Sequence, residues 1–354
     1  MRRIYFFLPD YPSWSTGGHK YHTILFEYFK SKRSEVFSFG HNRFTKLIEN
    51  NKFFKIIGGI CYALKIPRKS VVIQSNTSFL HFFIPVLLNK FWKHHYYFLI
   101  VHHLVRDEKP SFTRKVLEDF FIKRADKVVT ISKTTRKKLS AIDERFGSIK
   151  IICPGLDANI QSEDYQKTFP GINRFLYVGS IEERKGLEYL IDALKLLNIG
   201  EFEINIIGKL PENSNEYFND LKKRIHNAGL DKKVIFRGRV NSDELKEFYV
   251  NSTAFIFPSL WEGYGMVITE SMAYGLPVIA SRIPAIEELI VDGKDGLMFE
   301  PADPKEIAVK IEEFCNDKTL QQNISKNSLK RVRTLKTWDE VSEEYYQIIN
   351  VLQQ

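Results

Sequence analysis

The chain has 354 residues, 44% hydrophobic and 27% charged, with 52 Lys and Arg against 43 Asp and Glu for a formal net charge of +9. That length favours two domains over a single core, and that balance excludes disordered and fibrous classes. The charge is uneven, since residues 1–165 hold 28 Lys and Arg against 14 Asp and Glu, a balance of +14, while the remainder balances at −5. Such asymmetry speaks of partners rather than of fold.

In chain order, Ile4–Leu8 is an apolar run closed by Pro9, too short for a signal peptide and right for a strand buried on both faces. Ser15-Thr16-Gly17-Gly18 opens a helix to about Lys30, and a strand, a glycine pair and a helix start are how α/β proteins build an anion site. Plain turn geometry explains the glycines equally well. Val36–Phe39 reads as a strand and Phe44–Leu64 as a basic, aromatic helix. Ser70–Asn89 is free of charge over the length of a membrane span, but Gln74-Ser75-Asn76-Thr77-Ser78 breaks it into a strand, a polar loop and a helix. Strands at Tyr96–His102, Val128–Ser132 and Ile149–Cys153, with helices at Phe112–Lys123 and Lys133–Leu139, complete the half. The acidic connector from Pro154 to about Gly171 is the boundary, giving domains 1–165 and 166–335 with a last helix in 336–354.

A second alternation follows: strands at Arg174–Val178, Phe202–Ile207, Val234–Phe236 and Ala254–Phe257, and helices at Leu187–Leu197, Glu216–Ala228 and Ser242–Tyr249. Phe257–Ser281 then reads as strand end, glycine-bearing turn, helix and strand, with Glu262 and Glu270 eight residues apart. Ala285–Val291, Gly296–Phe299, a helix Pro304–Cys315 and an acidic amphipathic helix Trp338–Leu352 close the chain. Strands alternating with helices predict α/β domains with parallel sheets, two Rossmann-like halves binding a ligand between them. Cys61, Cys153 and Cys315 are odd in number, far apart and without a CxxC pair, which argues against a disulfide framework and fits a reducing cytoplasm.

The ordered motifs are Gly17-Gly18, Val101-His102, Ala125-Asp126 with Thr130-Ile131-Ser132, Pro154-Gly155-Leu156-Asp157, Val178-Gly179 with Arg184-Lys185-Gly186, Val234–Gly238, and Pro258–Gly265 with Glu270 and Gly275–Ala280. In this order they resemble the retaining GT-B glycosyltransferases of the large "group 1" type, over nearly the whole chain. The resemblance implies an acceptor-binding first domain, a donor-binding second domain facing it across a cleft, and a last helix that returns to the first. It implies a hexose-type sugar moved from a UDP- or GDP-linked donor to a glycan or lipid-linked acceptor, in polysaccharide, lipopolysaccharide-like or glycolipid synthesis. No cofactor or metal is implied.

Chemically, Lys185 supplies a point charge and Arg184 a fork for the donor diphosphate. The plain alternative is a solvated basic pair balanced by Glu182 and Glu183. By the resemblance Glu270 binds the ribose diol, Glu262 contacts the sugar, and His102 meets the transferred sugar or the leaving phosphate. Gly17, Gly18, Gly263, Tyr264, Gly265, Met266 and Val267 are the remaining donor contacts, the last four through backbone N–H groups at a helix start. Two departures stand out: Ser180 where many relatives have arginine, and His103 where they often have aspartate.

The basic half as a whole points to an anionic acceptor or an anionic membrane surface, which would put a cytoplasmic protein at the inner face of the membrane, while for any single segment a solvated basic face is the plainer reading. Phe44–Lys69, with Phe91-Trp92-Lys93 and Tyr96-Tyr97, are the segments that would serve it. No nucleic-acid motif accompanies the charge. The rivals are a sugar-nucleotide epimerase or phosphorylase of the same fold, and a catalytically silent sugar-nucleotide-binding subunit.

Overall fold

The computed structural model describes residues 2–8, 17–39, 64–89, 94–108, 111–162, 167, 169, 171–210 and 215–351. The expected helix Phe44–Leu64, apart from Leu64, and the Phe91-Trp92-Lys93 cluster lie outside the described residues.

Two compact units form, residues 1–155 with 336–354 and residues 156–335. Among the described residues the first contains five parallel strands, β1 (Ile4–Phe7), β2 (Val36–Phe39), β3 (Val71–Ser75), β4 (Tyr96–Val101) and β5 (Lys127–Thr130), in the order β2-β1-β3-β4-β5. Their apolar runs are buried on both faces: Val71, Val72, Ile73 and Phe98–Val101 are each at most 1% exposed. The uncharged stretch divides into β3, a short turn at Asn76–Ser78 and α2 (Phe79–Leu88), after α1 (Gly17–Lys32). Helix α3 (Phe112–Arg124) makes the crossover from β4 to β5, and α4 (Lys133–Ser140) follows β5.

Helix α1 buries Tyr21, Leu25, Phe26 and Phe29, the period of one helical face. It packs against the chain's last helix, Trp338–Val351, where the Tyr21 hydroxyl meets the Tyr345 hydroxyl at 2.9 Å and Lys150 pairs with Glu344 at 2.6 Å. The first unit runs to Gly155, which lies so close to this last helix that a Cβ on it would sit 2.6 Å from the Trp338 backbone nitrogen. The expected strand Ile149–Cys153 reduces to a single bridge between Thr130 and Ile151. It meets only the edge strand β5 and runs at once into Pro154, which has no N–H to donate.

Among its described residues the second unit has six parallel strands, β6 (Asn173–Val178), β7 (Phe202–Ile207), β8 (Val234–Gly238), β9 (Ala254–Phe257), β10 (Val278–Ser281) and β11 (Leu297–Phe299), in the order β11-β10-β9-β6-β7-β8. The expected helix to Leu197 ends at Leu194 as α5 (Leu187–Leu194), and the Ala285–Val291 stretch holds a short helix, Pro284–Glu287. Helices α6 (Asn215–Asn227), α7 (Ser242–Asn251), α8 (Met266–Ala273), α9 (Pro304–Asn316) and α10 (Lys318–Val332) follow, and the last helix, Trp338–Val351, is α11.

Candidate active site

Strand order explains which loops meet. From β6 the chain moves one way to β7 and β8, then returns to place β9 on the other side of β6. Open α/β sheets bind ligands at such a switch point, beyond the carboxyl ends of the flanking strands. The segment after β6 carries Arg184 and Lys185, and the segment after β9 carries Glu262. The two are stitched together by Leu260 N donating to Arg184 O at 2.9 Å and by Ser259 Oγ reaching the same carbonyl at 3.3 Å. Gly186 makes this approach possible: its φ is +64°, and a Cβ there would lie 2.3 Å from Pro258 O.

Lys185 and Glu262 therefore meet. The Lys185 ammonium donates to Glu262 Oε1, with side-chain accessibilities of 9% and 12%, and lies 4.9 Å from the centre of the Phe257 ring. Ser259 Oγ donates to the same carboxylate oxygen at 3.0 Å, and an Arg184 nitrogen lies 3.7 Å away. Burial lowers the Lys185 pKa below the ordinary lysine value, and Arg184 adds to the lowering, against the pull of Glu262. Burial pushes Glu262 upward, but Lys185 and Arg184 outweigh it and hold the carboxyl below its ordinary value. Arg184 also pairs with Glu182 at 2.8 Å, and Ser180 Oγ bonds the same Glu182 oxygen. The balancing carboxylate expected for the basic pair thus serves Arg184, while Lys185 turns inward to Glu262.

Gly265, at φ +98°, ends the turn and begins α8 without a side-chain cap, so the first N–H groups of that helix are not taken by a capping side chain. Tyr264 is buried, while Gly263, Met266, Val267 and Glu270 are half-buried. Glu270 Oε2 accepts from the Tyr249 hydroxyl at 3.4 Å, and the Tyr249 ring stacks on Tyr274 with centroids 5.1 Å apart.

The first unit holds Gly17, Gly18 and His102. The two glycines are the first residues of α1, and His102 directly follows β4, which ends at Val101 rather than at His102. Its carbonyl accepts from Thr135 Oγ1 at 3.3 Å, and the next carbonyl, of His103, accepts from Asn76 Nδ2 at 2.5 Å. Asn76 is held by the fully buried Glu118, which also accepts from the Val105 backbone at 2.7 Å. His102 Nε2 lies 3.0 Å from His22 Nε2 of α1. Burial, with His19 adding, pushes the His22 pKa down to about 3, and burial with the neighbouring His22, His103 and His19 holds His102 well below its ordinary value. Both rings are neutral near pH 7.

Three of these residues escape sequence reasoning. Ser259 lies inside a motif already singled out, but its hydroxyl reads there as a turn residue. Tyr249 is a periodic helix position, and nothing in its spacing points to Glu270. His22 did carry a signal, being four residues after Gly18 and so on the same helix face. Among the described residues no group of three or more His, Cys, Asp or Glu side chains is placed to hold a metal, and no helix is long and apolar enough to cross a membrane.

Residues 162–331 match the family model described as glycosyl transferases group 1. Among curated relatives, the capsular polysaccharide biosynthesis glycosyltransferase CapM of Staphylococcus aureus is 31% identical over 62% of this chain and 58% of its own length. The chain spans about a third to three fifths of the length of the first curated relatives it matches. Two solved structures match over nearly the full length: sucrose-phosphate synthase from Thermosynechococcus elongatus, with a TM-score of 0.80 at 19% identity over 99% of both chains, and Anabaena HepE in complex with UDP and glucose, with a TM-score of 0.79 at 18% identity over 99% of this chain and 100% of that one. At such identities they establish the fold, two parallel-sheet α/β domains of the GT-B kind.

Proposed function

From the match of residues 162–331 to the group 1 glycosyl transferase model, we propose that the chain is a retaining glycosyltransferase that moves a hexose-type sugar from a UDP- or GDP-linked donor to a glycan or lipid-linked acceptor. The observation that carries this reading is the convergence of Lys185, Arg184 and Glu262 at the switch point of the second unit, a cationic pair and an acceptor-only carboxylate beside an uncapped helix start. A sugar nucleotide needs that combination, cations for its diphosphate and carboxylates for its hydroxyls. CapM, named for capsular polysaccharide synthesis, supports a cell-surface glycan product, and HepE, solved with UDP and glucose, supports the nucleotide-sugar donor.

In the reaction proposed, the acceptor hydroxyl oxygen bonds to the anomeric carbon on the face from which the diphosphate departs, and the carbon–oxygen bond to phosphate breaks. The hydroxyl proton passes to the leaving phosphate oxygen. Lys185 and Arg184 neutralise the charge that grows on that phosphate, and the N–H groups at the start of α8 add to the field. Glu262 and Glu270 hold sugar and ribose, so that positioning rather than a protein nucleophile supplies the rate. His102 hydrogen-bonds the transferred sugar or the leaving phosphate.

The basic half is proposed to meet an anionic membrane surface where a lipid-linked acceptor resides. Helix α3 supports this: Phe112 is 83% and Val116 49% exposed, one turn apart, with Lys115, Lys123 and Arg124 also exposed on the helix.

A thermal-shift screen of nucleotide sugars, followed by acceptor-dependent release of nucleoside diphosphate, tests the reading. A changed sugar with no release would instead mark an epimerase, and donor binding without turnover over a broad acceptor panel would mark a silent subunit.

A further inference from the structure

We propose that His22 is a positioning residue that holds His102 in one tautomer, proton on Nδ1, so that His102 presents an N–H donor and not a lone pair to an oxygen of the sugar nucleotide. The ligand in that statement rests on the transferase reading above; the placement of the proton does not.

Three observations fix it. The two Nε2 atoms lie 3.0 Å apart between rings tilted 62°, and the residues are only 4% and 7% exposed. Two N–H groups cannot face each other at that distance, and two lone pairs repel, so one hydrogen lies between the nitrogens. Charging either ring is opposed by burial and by the imidazoles of His19 and His103 nearby. Tyr21, the other titratable group against the pair, is itself buried and neutral. The pair is therefore two neutral imidazoles, and only two arrangements remain.

The far nitrogen of His22 chooses between them. His22 Nδ1 is buried with no hydrogen-bond partner. If His102 held the shared hydrogen, the His22 proton would sit on Nδ1 as an enclosed N–H without an acceptor, the rarer and costlier kind of orphan. If His22 donates from Nε2, its Nδ1 is only a bare lone pair. Among the described residues His102 Nδ1 is not one of the buried side-chain atoms left without a partner, so the proton that His102 must then carry there creates no enclosed orphan of that kind. The second ring nitrogen sets the tautomer of the first, and here it is His22 that sets it. Tyr21 locks the orientation: its ring stands edge-on to His102 with centroids 5.2 Å apart, and its hydroxyl is tied to Ile152 O at 3.1 Å. A fixed N–H donor suits the developing oxyanion of a leaving phosphate, or a sugar oxygen, and cannot serve as a general base.

Full-length protein labelled with 15N-histidine tests the assignment, since imidazole nitrogen shifts report the tautomer of each ring. The expected spectrum has His102 protonated at Nδ1 with a hydrogen-bonded, unprotonated Nε2, and His22 the reverse. The opposite pattern, or a charged His102 at pH 7, overturns the proposal. His22→Gln keeps a donor where Nε2 stood and is expected to retain kcat. His22→Glu offers an acceptor instead; it is expected to move the His102 proton to Nε2 and to lower kcat by on the order of tenfold or more. Equal losses in the two variants would reduce His22 to a packing residue. Should His22→Glu not fold, the wild-type spectrum and His22→Gln decide. Expected tautomers in a chain that binds no nucleotide sugar would refute the transferase reading and with it the ligand, while the proton placement stood.

Discussion

Lys185 donates to Oε1 of Glu262, 77 residues further along the chain, and Ser259 holds the same oxygen at 3.0 Å. The ammonium assigned to the donor diphosphate is thus also the partner of the carboxylate assigned to the sugar. A diphosphate drawn to Lys185 comes within range of the Glu262 charge, and only a ligand with hydroxyl groups offers that carboxylate something in return.

Lys185→Ala and Glu262→Ala are each expected to abolish transfer in a folded protein. Glu262→Gln should separate two ligands: UDP or GDP alone binds about tenfold tighter because a buried negative charge is gone, whereas the intact sugar nucleotide gains nothing or weakens. Titration calorimetry reads both. Near-normal donor-saturated rates in Lys185→Ala would sink the phosphate assignment.

Gly186→Ala puts a side chain where φ is +64° and where Pro258 O would be 2.3 Å away. The left-handed backbone alone costs about 1–2 kcal/mol, and relieving the contact separates the two loops. Thermal denaturation should show the loss, and donor affinity should fall with it. A variant of unchanged stability with full affinity would show that the loops do not depend on this contact.

His22 carries an acid limb. Its folded-state pKa lies near 3 against the ordinary 6.5, so between those values the unfolded chain binds one more proton there than the folded chain does. Stability should be present above pH 6.5 and lost as pH falls toward 3, at about 1.4 kcal/mol per pH unit for each such proton. His102 acts in the same direction. Urea denaturation of His22→Gln across this window is expected to give a shallower slope; an unchanged slope would mean that His22 is free to charge in the folded state.

Phe112→Glu together with Val116→Glu should reduce flotation with anionic vesicles, and added salt should reduce wild-type flotation. Wild-type protein that never floats with such vesicles would remove the membrane from the reading.

Much of this fold is legible in the sequence because buried parallel strands need no alternating polar face. Phe175–Val178 and Ala254–Phe257 announce themselves as continuous apolar runs. Helix α10 escapes, since it buries Gln321, Ser325 and Ser328 beside Ile324 and Val332, and a polar stripe gives no apolar period. Those side chains spend their hydrogen bonds inward, Ser325 Oγ on Gly275 O at 2.7 Å and Gln321 Nε2 on Phe314 O at 2.9 Å. At the site, the residue types and glycines of the two loops are readable one loop at a time. That Lys185 turns to Glu262 is not, because it depends on β9 lying beside β6, and spacing along a chain does not record strand order. The histidine pair fails to show for the same reason, its members coming from α1 and from the end of β4.

The bond between the Tyr21 and Tyr345 hydroxyls spans 324 positions, and the 180 residues from Leu156 to Leu335 are threaded between its two ends. During synthesis, α1 emerges early with a face shaped for a helix that the ribosome has yet to make. At ordinary translation speeds that wait is roughly 15–65 s. The second unit, continuous in sequence, is complete before the first can be. Nascent-chain folding should therefore proceed out of order, the later half closing first, with chaperone occupancy concentrated on the uncovered α1 seam until the final helix arrives.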